Sequence, residues 1–175
     1  MLENDRGSKK RSARNQAPAA EGLVSQAELA KLEAFVGYNL RRAAARQRER
    51  FRSVFDRYEI RPVQLTVLAL IRESMPLKQS ELGKSLEMKR ANVVTVLDEL
   101  IQRGLVGREL ADNDRRSYVL FLTPSGKRLT NKLLTLHDKL EQDLARSFGQ
   151  KELSKLVDLL RAFRQLDPNP RFAKR

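Results

Sequence analysis

Apolar residues recur at helical spacing along most of this chain. A polar stretch over residues 1–24 comes first, and the string Ser25-Gln26-Ala27-Glu28 then has the form of a capping box. Apolar positions at i, i+3, i+4 and i+7 continue to Tyr58, so the pattern predicts one long helix. Pro62 suits the first turn of a second helix, and Pro76 ends it. Because this second helix is apolar on most sides, we expect it at the centre of the core.

Shorter elements occupy the middle of the chain. Two helices are predicted at about 79–86 and 90–103. The hydrophobic pattern then changes to alternation, and residues 105–110 and 118–122 predict two short strands. A charged turn over 112–117 is expected to join these strands as a hairpin.

The last part of the chain is helical again. Thr123-Pro124 combines a capping hydroxyl with a proline in the first turn and predicts a helix that continues to about Ser147. The final helix has one apolar face, formed by Leu153, Leu156, Val157, Leu160 and Phe163. The order of elements predicts a mainly α protein with a small β-hairpin, in the α+β class.

Composition narrows the functional classes. Lys and Arg number 35 against 22 Asp and Glu, a net charge of +13, which indicates a polyanionic partner such as nucleic acid or an acidic membrane surface. Basicity that only serves solubility is the alternative. The chain has no cysteine and one histidine, His137, so we expect no disulfide, metal or other cofactor, and no enzymatic activity. Charged residues at the start and the lack of a long apolar segment predict a cytoplasmic protein without a membrane partner.

Two short helices followed directly by a hairpin are the order of a winged helix-turn-helix. In that fold the second helix, the recognition helix, enters the major groove of DNA, and the hairpin, the wing, reaches the minor groove. Four residues near the amino end of the predicted recognition helix should point outward and are of types that pair with bases or phosphates: Lys89, Arg90, Asn92 and Thr95. A solvated helix start is the alternative interpretation. Lys78, Gln79 and Ser80, at the start of the preceding helix, are also expected to contact DNA.

The predicted hairpin tip carries Asp114, Arg115 and Arg116. Arginine is the residue best attracted to a narrow minor groove. Asp114 would be unfavourable beside phosphate, so we expect it to hold one of these arginines through a carboxylate bond. The alternative is an ordinary solvated turn, in which the acidic residues serve the turn geometry.

The run from Pro62 to Gly126 resembles the MarR family of bacterial regulators. The matching strings are Arg61-Pro62-Val63-Gln64-Leu65-Thr66-Val67-Leu68, Gln79-Ser80-Glu81-Leu82-Gly83, Leu97-Asp98-Glu99-Leu100, Arg103-Gly104-Leu105-Val106, Asp112-Asn113-Asp114-Arg115-Arg116 and Leu122-Thr123-Pro124-Ser125-Gly126. With the helix order, the likeness covers about 25–166. It implies a homodimer in which the first and last two helices intertwine, and a wing arginine, Arg116, in the minor groove. The family's base preferences do not carry over, because its recognition helix commonly begins with hydroxyl residues and this one has Arg90-Ala91-Asn92.

The resemblance also implies an organisation along the chain. It places a helical dimerisation region at 25–60 and 124–166. Residues 1–24 lie before the resemblance, and their polar, basic composition predicts a disordered basic arm. The winged helix-turn-helix lobe would span 61–123, and a basic tail 167–175. A bacterial, nucleoid-associated location follows from the same resemblance.

Members of this family are usually released from DNA by a small molecule bound between the dimerisation helices and the DNA-binding lobe. Sensing through a thiol is excluded here because cysteine is absent, and a lone histidine disfavours metal sensing. Aromatic walls beside arginines suit a carboxylate or phosphorylated ligand. The run Lys89-Arg90-Ala91-Asn92 resembles a subset of the family that responds to aromatic acyl-CoA thioesters, so the resemblance implies an aromatic acid or its CoA thioester as effector. The predicted effector-binding residues are Phe35, Tyr38, Asn39, Arg42, Arg46, Phe55 and Leu65. The alternative is that the arginines are solvated or hold DNA phosphates.

The sequence therefore predicts a sequence-specific transcriptional regulator, a repressor that binds an inverted repeat in double-stranded DNA and is released by a small organic effector. A nucleoid-type architectural protein without a preferred site or an effector is the alternative. A membrane-surface protein would need an amphipathic basic helix without the hairpin.

Overall fold

A computed structural model describes residues 25–74, 76–111 and 114–169, and for residues 111 and 114–117 it describes the backbone only. The predicted arm over 1–24 and the end of the predicted tail lie outside the described residues. The chain divides into two compact units, Met1–Gln47 and Arg48–Arg175, and the boundary falls inside a helix.

The first unit contains helix α1 (Gln26–Glu33) and the beginning of α2 (Val36–Phe55). The predicted capping box is present: the Glu28 carboxylate accepts a bond from the Ser25 backbone N–H at 2.8 Å, and the Glu28 N–H donates to Ser25 Oγ at 3.2 Å. α1 ends at Glu33, whose carbonyl accepts a bond from the Asn39 side-chain amide at 2.6 Å, and α2 begins separately at Val36. The prediction of one uninterrupted long helix is therefore wrong.

The second unit contains the rest of α2, a short 3₁₀ turn and all remaining elements. The helices are α3 (Pro62–Glu73), α4 (Gln79–Ser85), α5 (Arg90–Gln102), α6 (Pro124–Phe148) and α7 (Gln150–Arg164), and the strands are β1 (Leu77–Lys78), β2 (Val106–Ala111) and β3 (Asp114–Leu122). These bounds agree with the predicted helices to within a few residues. Local signals account for this agreement, since Thr123 caps α6 through its hydroxyl and Gly104 ends α5 with a φ of 66°.

The three strands form an antiparallel sheet in the order β1-β3-β2. β1 was not predicted, because two residues are too few to show alternation. β3 begins at Asp114, so the prediction that residues 114–117 belong to the turn is wrong. The register changes near the tip: Leu110 lies opposite Tyr118, whereas Ala111 lies opposite Asp114. The extra residues on β3 are accommodated by this irregularity.

The core of the second unit is built around α3, as predicted. Leu65, Val67, Leu68 and Ile71 of α3 are buried there with residues from α5, the sheet and α6. α7 buries none of its residues. A small sheet in a mainly helical chain confirms the predicted fold class. None of the helices in the described part of the chain has the length and hydrophobicity of a membrane span.

Candidate nucleic-acid interface

α4 and α5 form a compact helix-turn-helix. α4 begins where the Lys78 N–H donates to the Glu81 carboxylate at 3.0 Å. In the turn after α4, Glu87 adopts a left-handed φ of 51°, and the Met88 N–H donates to the Gly83 carbonyl at 3.1 Å. This closes the end of α4 and places α5 only a few residues later. The two helices pack closely, since a Cβ added to Gly83 would lie 3.5 Å from the Val93 side chain.

The predicted recognition helix, α5, has its apolar side in the core. Its buried residues are Val93, Val96, Leu97 and Leu100. The four outward residues predicted at its amino end are all exposed: Lys89, Arg90, Asn92 and Thr95. Helical spacing places Asn92 and Thr95 on one flank and Arg90 on the other. The Thr95 hydroxyl donates to the Ala91 carbonyl at 3.1 Å.

A cleft of about 760 Å³ lies between α4, α5 and the wing, the β2–β3 hairpin. It brings together Arg90 with the three residues predicted at the start of α4: Lys78, Gln79 and Ser80. Lys84 and Arg108 add two further cations, while Glu87 and Asp98 are the carboxylates in its lining. The excess of positive charge and the open position suit contact with a polyanion.

Arg108 and Tyr118 line this cleft, and the sequence interpretation did not identify either of them. Arg108 Nη1 lies 3.8 Å from Asp98 Oδ1, and its guanidinium carbon lies 5.2 Å from the centre of the Tyr118 ring. The alternation of β2 was the available signal, because Arg108 is two residues from the buried Val106 and so shares its face of the sheet. The pairing with Asp98 and Tyr118 depends on the fold.

The other end of α5 is tied to the turn before α3. Arg103 donates to the backbone carbonyls of Tyr58 and Glu59 at 2.9 and 2.6 Å. Glu99 pairs with Arg61 and accepts a bond from the Gln64 amide at 2.9 Å. These polar contacts hold α5 against α3 in addition to the packing of the apolar side of α5.

The predicted wing tip is described in part. The backbone of Asp114, Arg115 and Arg116 forms part of β3. Their side chains, and residues 112–113, lie outside the part of the chain that the structure describes. The expected bond between Asp114 and an arginine stays a prediction.

The predicted effector-binding residues fall in both units. Phe35, Tyr38, Asn39, Arg42 and Arg46 belong to the first unit, where the Arg42 guanidinium lies 5.8 Å from the centre of the Tyr38 ring. The Asn39 amide is engaged by main-chain carbonyls of Glu33 and Phe35.

Phe55 and Leu65 belong to the core of the second unit. Phe55 is completely buried and stacks on Phe51 with ring centres 4.2 Å apart, and Leu65 is 5% exposed. A role for the predicted residues in effector binding stays a prediction. Among the described residues, no group of three or more His, Cys, Asp or Glu side chains is placed to hold a metal ion.

Known proteins that are similar in sequence to this chain are transcriptional regulators. Residues 60–118 match the model of the MarR family. A Thauera aromatica protein, named for the transcriptional regulation of the hcr operon, is 28% identical over 137 residues, which cover 77% of this chain and 82% of that protein.

Solved structures extend the likeness beyond the family match. The transcriptional repressor CouR, bound to a 23-mer DNA duplex, superposes with a TM-score of 0.74 at 29% identity, over 82% of this chain and all of that one. BpsR of Bordetella bronchiseptica gives a TM-score of 0.71 at 25% identity, over 77% of this chain and 96% of that one. Over residues 60–118 the chain therefore matches the MarR family, and over most of its length it is similar to solved transcriptional regulators of that fold.

Proposed function

We propose that this regulator is a homodimeric repressor that binds an inverted repeat in double-stranded DNA and leaves it when a small organic effector binds. The observation that carries the proposal is the exposed amino end of α5 beside a cationic cleft that extends to the wing. CouR, whose fold is similar to 82% of this chain, is a transcriptional repressor bound to DNA. An architectural protein needs positive charge to bind DNA, but it does not need exposed side chains that read bases.

In this proposal each element has a separate role on DNA. The first turns of α5 enter the major groove, where Arg90 reads guanine and Asn92 reads adenine. Lys78 and Ser80 at the start of α4 contact phosphates and set the position of the protein. The wing arginines, with Arg116 foremost, enter the adjacent minor groove.

The dimer is proposed from apolar surface that a single chain leaves exposed. α7 exposes Leu156, Leu159, Leu160 and Phe163, with Phe163 50% accessible. The first unit exposes Leu32, Phe35 and Val36 in the same way. Soluble chains rarely leave such faces uncovered. A two-fold partner would cover them and present two recognition helices to half-sites about one helical turn apart.

Two observations support an aromatic acid or its CoA thioester as effector. Arg41 and Arg42 lie 5.7 and 5.8 Å from the centre of the Tyr38 ring, which places cations beside an aromatic wall. The similar protein BpsR has its DNA binding regulated by 6-hydroxynicotinic acid, an aromatic acid. Such a ligand releases DNA only as far as it binds the DNA-incompetent form more tightly.

The test begins with selection of duplexes from a random pool by the full chain, followed by anisotropy titrations. We expect an inverted repeat to be selected. Arg90→Ala and Asn92→Ala should each weaken its binding by about 1–3 kcal/mol and relax preference at one base position per half-site. Arg146→Ala, which removes the same charge as Arg90→Ala from the last turn of α6, is the matched control and should retain the preference.

Equal competition by scrambled DNA would overturn the proposal in favour of an architectural protein. The same assay is repeated with benzoate, cinnamate and their CoA thioesters. A ligand that releases the duplex should bind the free dimer about 5- to 150-fold more tightly than the complex. Arg42→Ala should weaken that ligand while DNA binding survives, and Arg48→Ala on another side of α2 is the control. If Arg42→Ala damages only DNA affinity, the arginine belongs to the DNA surface.

A further inference from the structure

Asp98, Arg108 and Tyr118 join the recognition helix to the wing. Arg108 of β2 lies 3.8 Å from the Asp98 carboxylate of α5 and 5.2 Å from the ring centre of Tyr118 of β3. Arg108 lies opposite Leu120 in the sheet, and Leu120 is completely buried. Residues opposite each other share a face, so Arg108 leaves the sheet on the side that packs on the core.

These contacts lie where the wing leaves the body of the second unit. The next pair towards the tip on the same face, Leu110 and Tyr118, is 53% and 41% exposed. Asp98 follows Arg90 by eight residues, about 12 Å along the helix. The same helix therefore carries the proposed base contacts at its start and the contact to the wing further along.

We propose that Asp98, Arg108 and Tyr118 form a brace that sets the position of the wing against α5, and that all three are positioning residues for DNA recognition. The inference rests on the proposed function, since it concerns the same surface. The ion pair and the cation–π contact are half-exposed, so each contributes little to the stability of the fold. Their effect on DNA binding comes from holding the wing and α5 at a fixed separation. Once one of these two elements has bound DNA, the other then contacts DNA at high effective concentration.

A different role for Arg108 is a direct contact with a DNA phosphate. The two roles predict opposite signs for removal of Asp98. If Arg108 binds phosphate, Asp98→Asn removes a competing carboxylate and tightens binding. If Arg108 is part of a brace, Asp98→Asn loosens the wing and weakens binding, although the protein becomes more positive.

The experiment measures anisotropy of the full chain on the duplex that the wild-type protein selects from a random pool. Asp98→Asn and Arg108→Gln should each weaken binding by about three- to tenfold, and the double variant should be no weaker than the weaker single variant. The reversed pair, Asp98→Arg with Arg108→Asp, should recover part of the loss. Preference should fall at the positions that the wing contacts and persist at those that α5 contacts.

Matched variants separate the brace from general effects. Glu109→Gln removes one negative charge from the same strand on the opposite face of the sheet and should leave affinity within about twofold. Tyr118→Phe keeps the ring below Arg108 and should bind normally, whereas Tyr118→Leu should behave like Arg108→Gln. Thermal unfolding of each variant shows whether the fold is retained.

Failure of this inference can be distinguished from failure of the proposed function. If the wild-type protein selects no duplex, the proposed function falls with this inference. If it selects one and Asp98→Asn binds equally or more tightly, the brace alone is overturned. Additive losses in the double variant, or equal loss of preference at every base position, would also overturn it.

Discussion

At the residue scale, Gly126 lies against the main chain of Leu105. A Cβ at this position in the first turn of α6 would overlap the Leu105 carbonyl oxygen, and a backbone atom cannot move aside as a flexible side chain does. We expect Gly126→Ala to lower the free energy of unfolding by about 1–3 kcal/mol. Urea unfolding followed by circular dichroism measures this change.

The control for this prediction is Gly37→Ala in α2, where nothing lies within 4 Å of the added Cβ. Alanine has the higher helix propensity, so the free energy of unfolding should stay within about 1 kcal/mol of wild type or rise. Equal destabilisation by both substitutions would show that the close approach to Leu105 is not the cause.

At the scale of single elements, the capping box makes the start of α1 sensitive to acid. Bonds from the Ser25 hydroxyl and then the Ser25 backbone N–H lower the pKa of Glu28. A carboxyl with a lowered pKa stabilises the folded state above its ordinary pKa of 4.5, and this contribution is lost as pH falls through the lowered value. We expect amide exchange at Glu28 and Leu29 to accelerate in that acid range, relative to amides in the middle of α2.

Ser25→Ala removes the hydroxyl that is the largest cause of the lowered pKa. In this variant α1 should already exchange faster at neutral pH, and acid should change it less. Hydrogen exchange measured by NMR between pH 7 and pH 3 compares the two proteins. An unchanged profile in Ser25→Ala would remove the capping box as the cause.

At the scale of the whole molecule, the apolar face of α7 should determine the oligomeric state. Leu160 and Phe163 are 40% and 50% exposed in one chain, and a charged side chain at either position would be costly in a dimer interface. Leu160→Glu and Phe163→Glu should shift the protein to monomers at micromolar concentration. Sedimentation velocity measures this shift.

Ala162→Glu is the matched control, because helical spacing places Ala162 on the opposite side of α7. It should leave the association unchanged. Monomers in all three variants would indicate a loss of α7 itself, and dimers in all three would contradict the proposed interface. A monomer should also bind a half-site alone, with much lower affinity for the full inverted repeat.

Much of the fold was determined by local signals in the sequence. Thr123-Pro124 begins α6 as predicted, and the helical period of α5 buries Val93 and leaves Arg90 exposed. Caps, prolines and periodic apolar positions act over one or two helical turns, so they can be recognised without knowledge of the fold. The exposed residues at the start of α5 follow from the same reasoning.

The tertiary structure alone decided the features whose partners are distant in sequence. β1 exists because Leu77 and Lys78 pair with β3, more than forty residues later. Arg108 became a candidate positioning residue only when the fold placed Asp98 and Tyr118 beside it. Sequence patterns report which face a residue occupies, whereas its hydrogen-bond and ionic partners depend on how separate elements pack together.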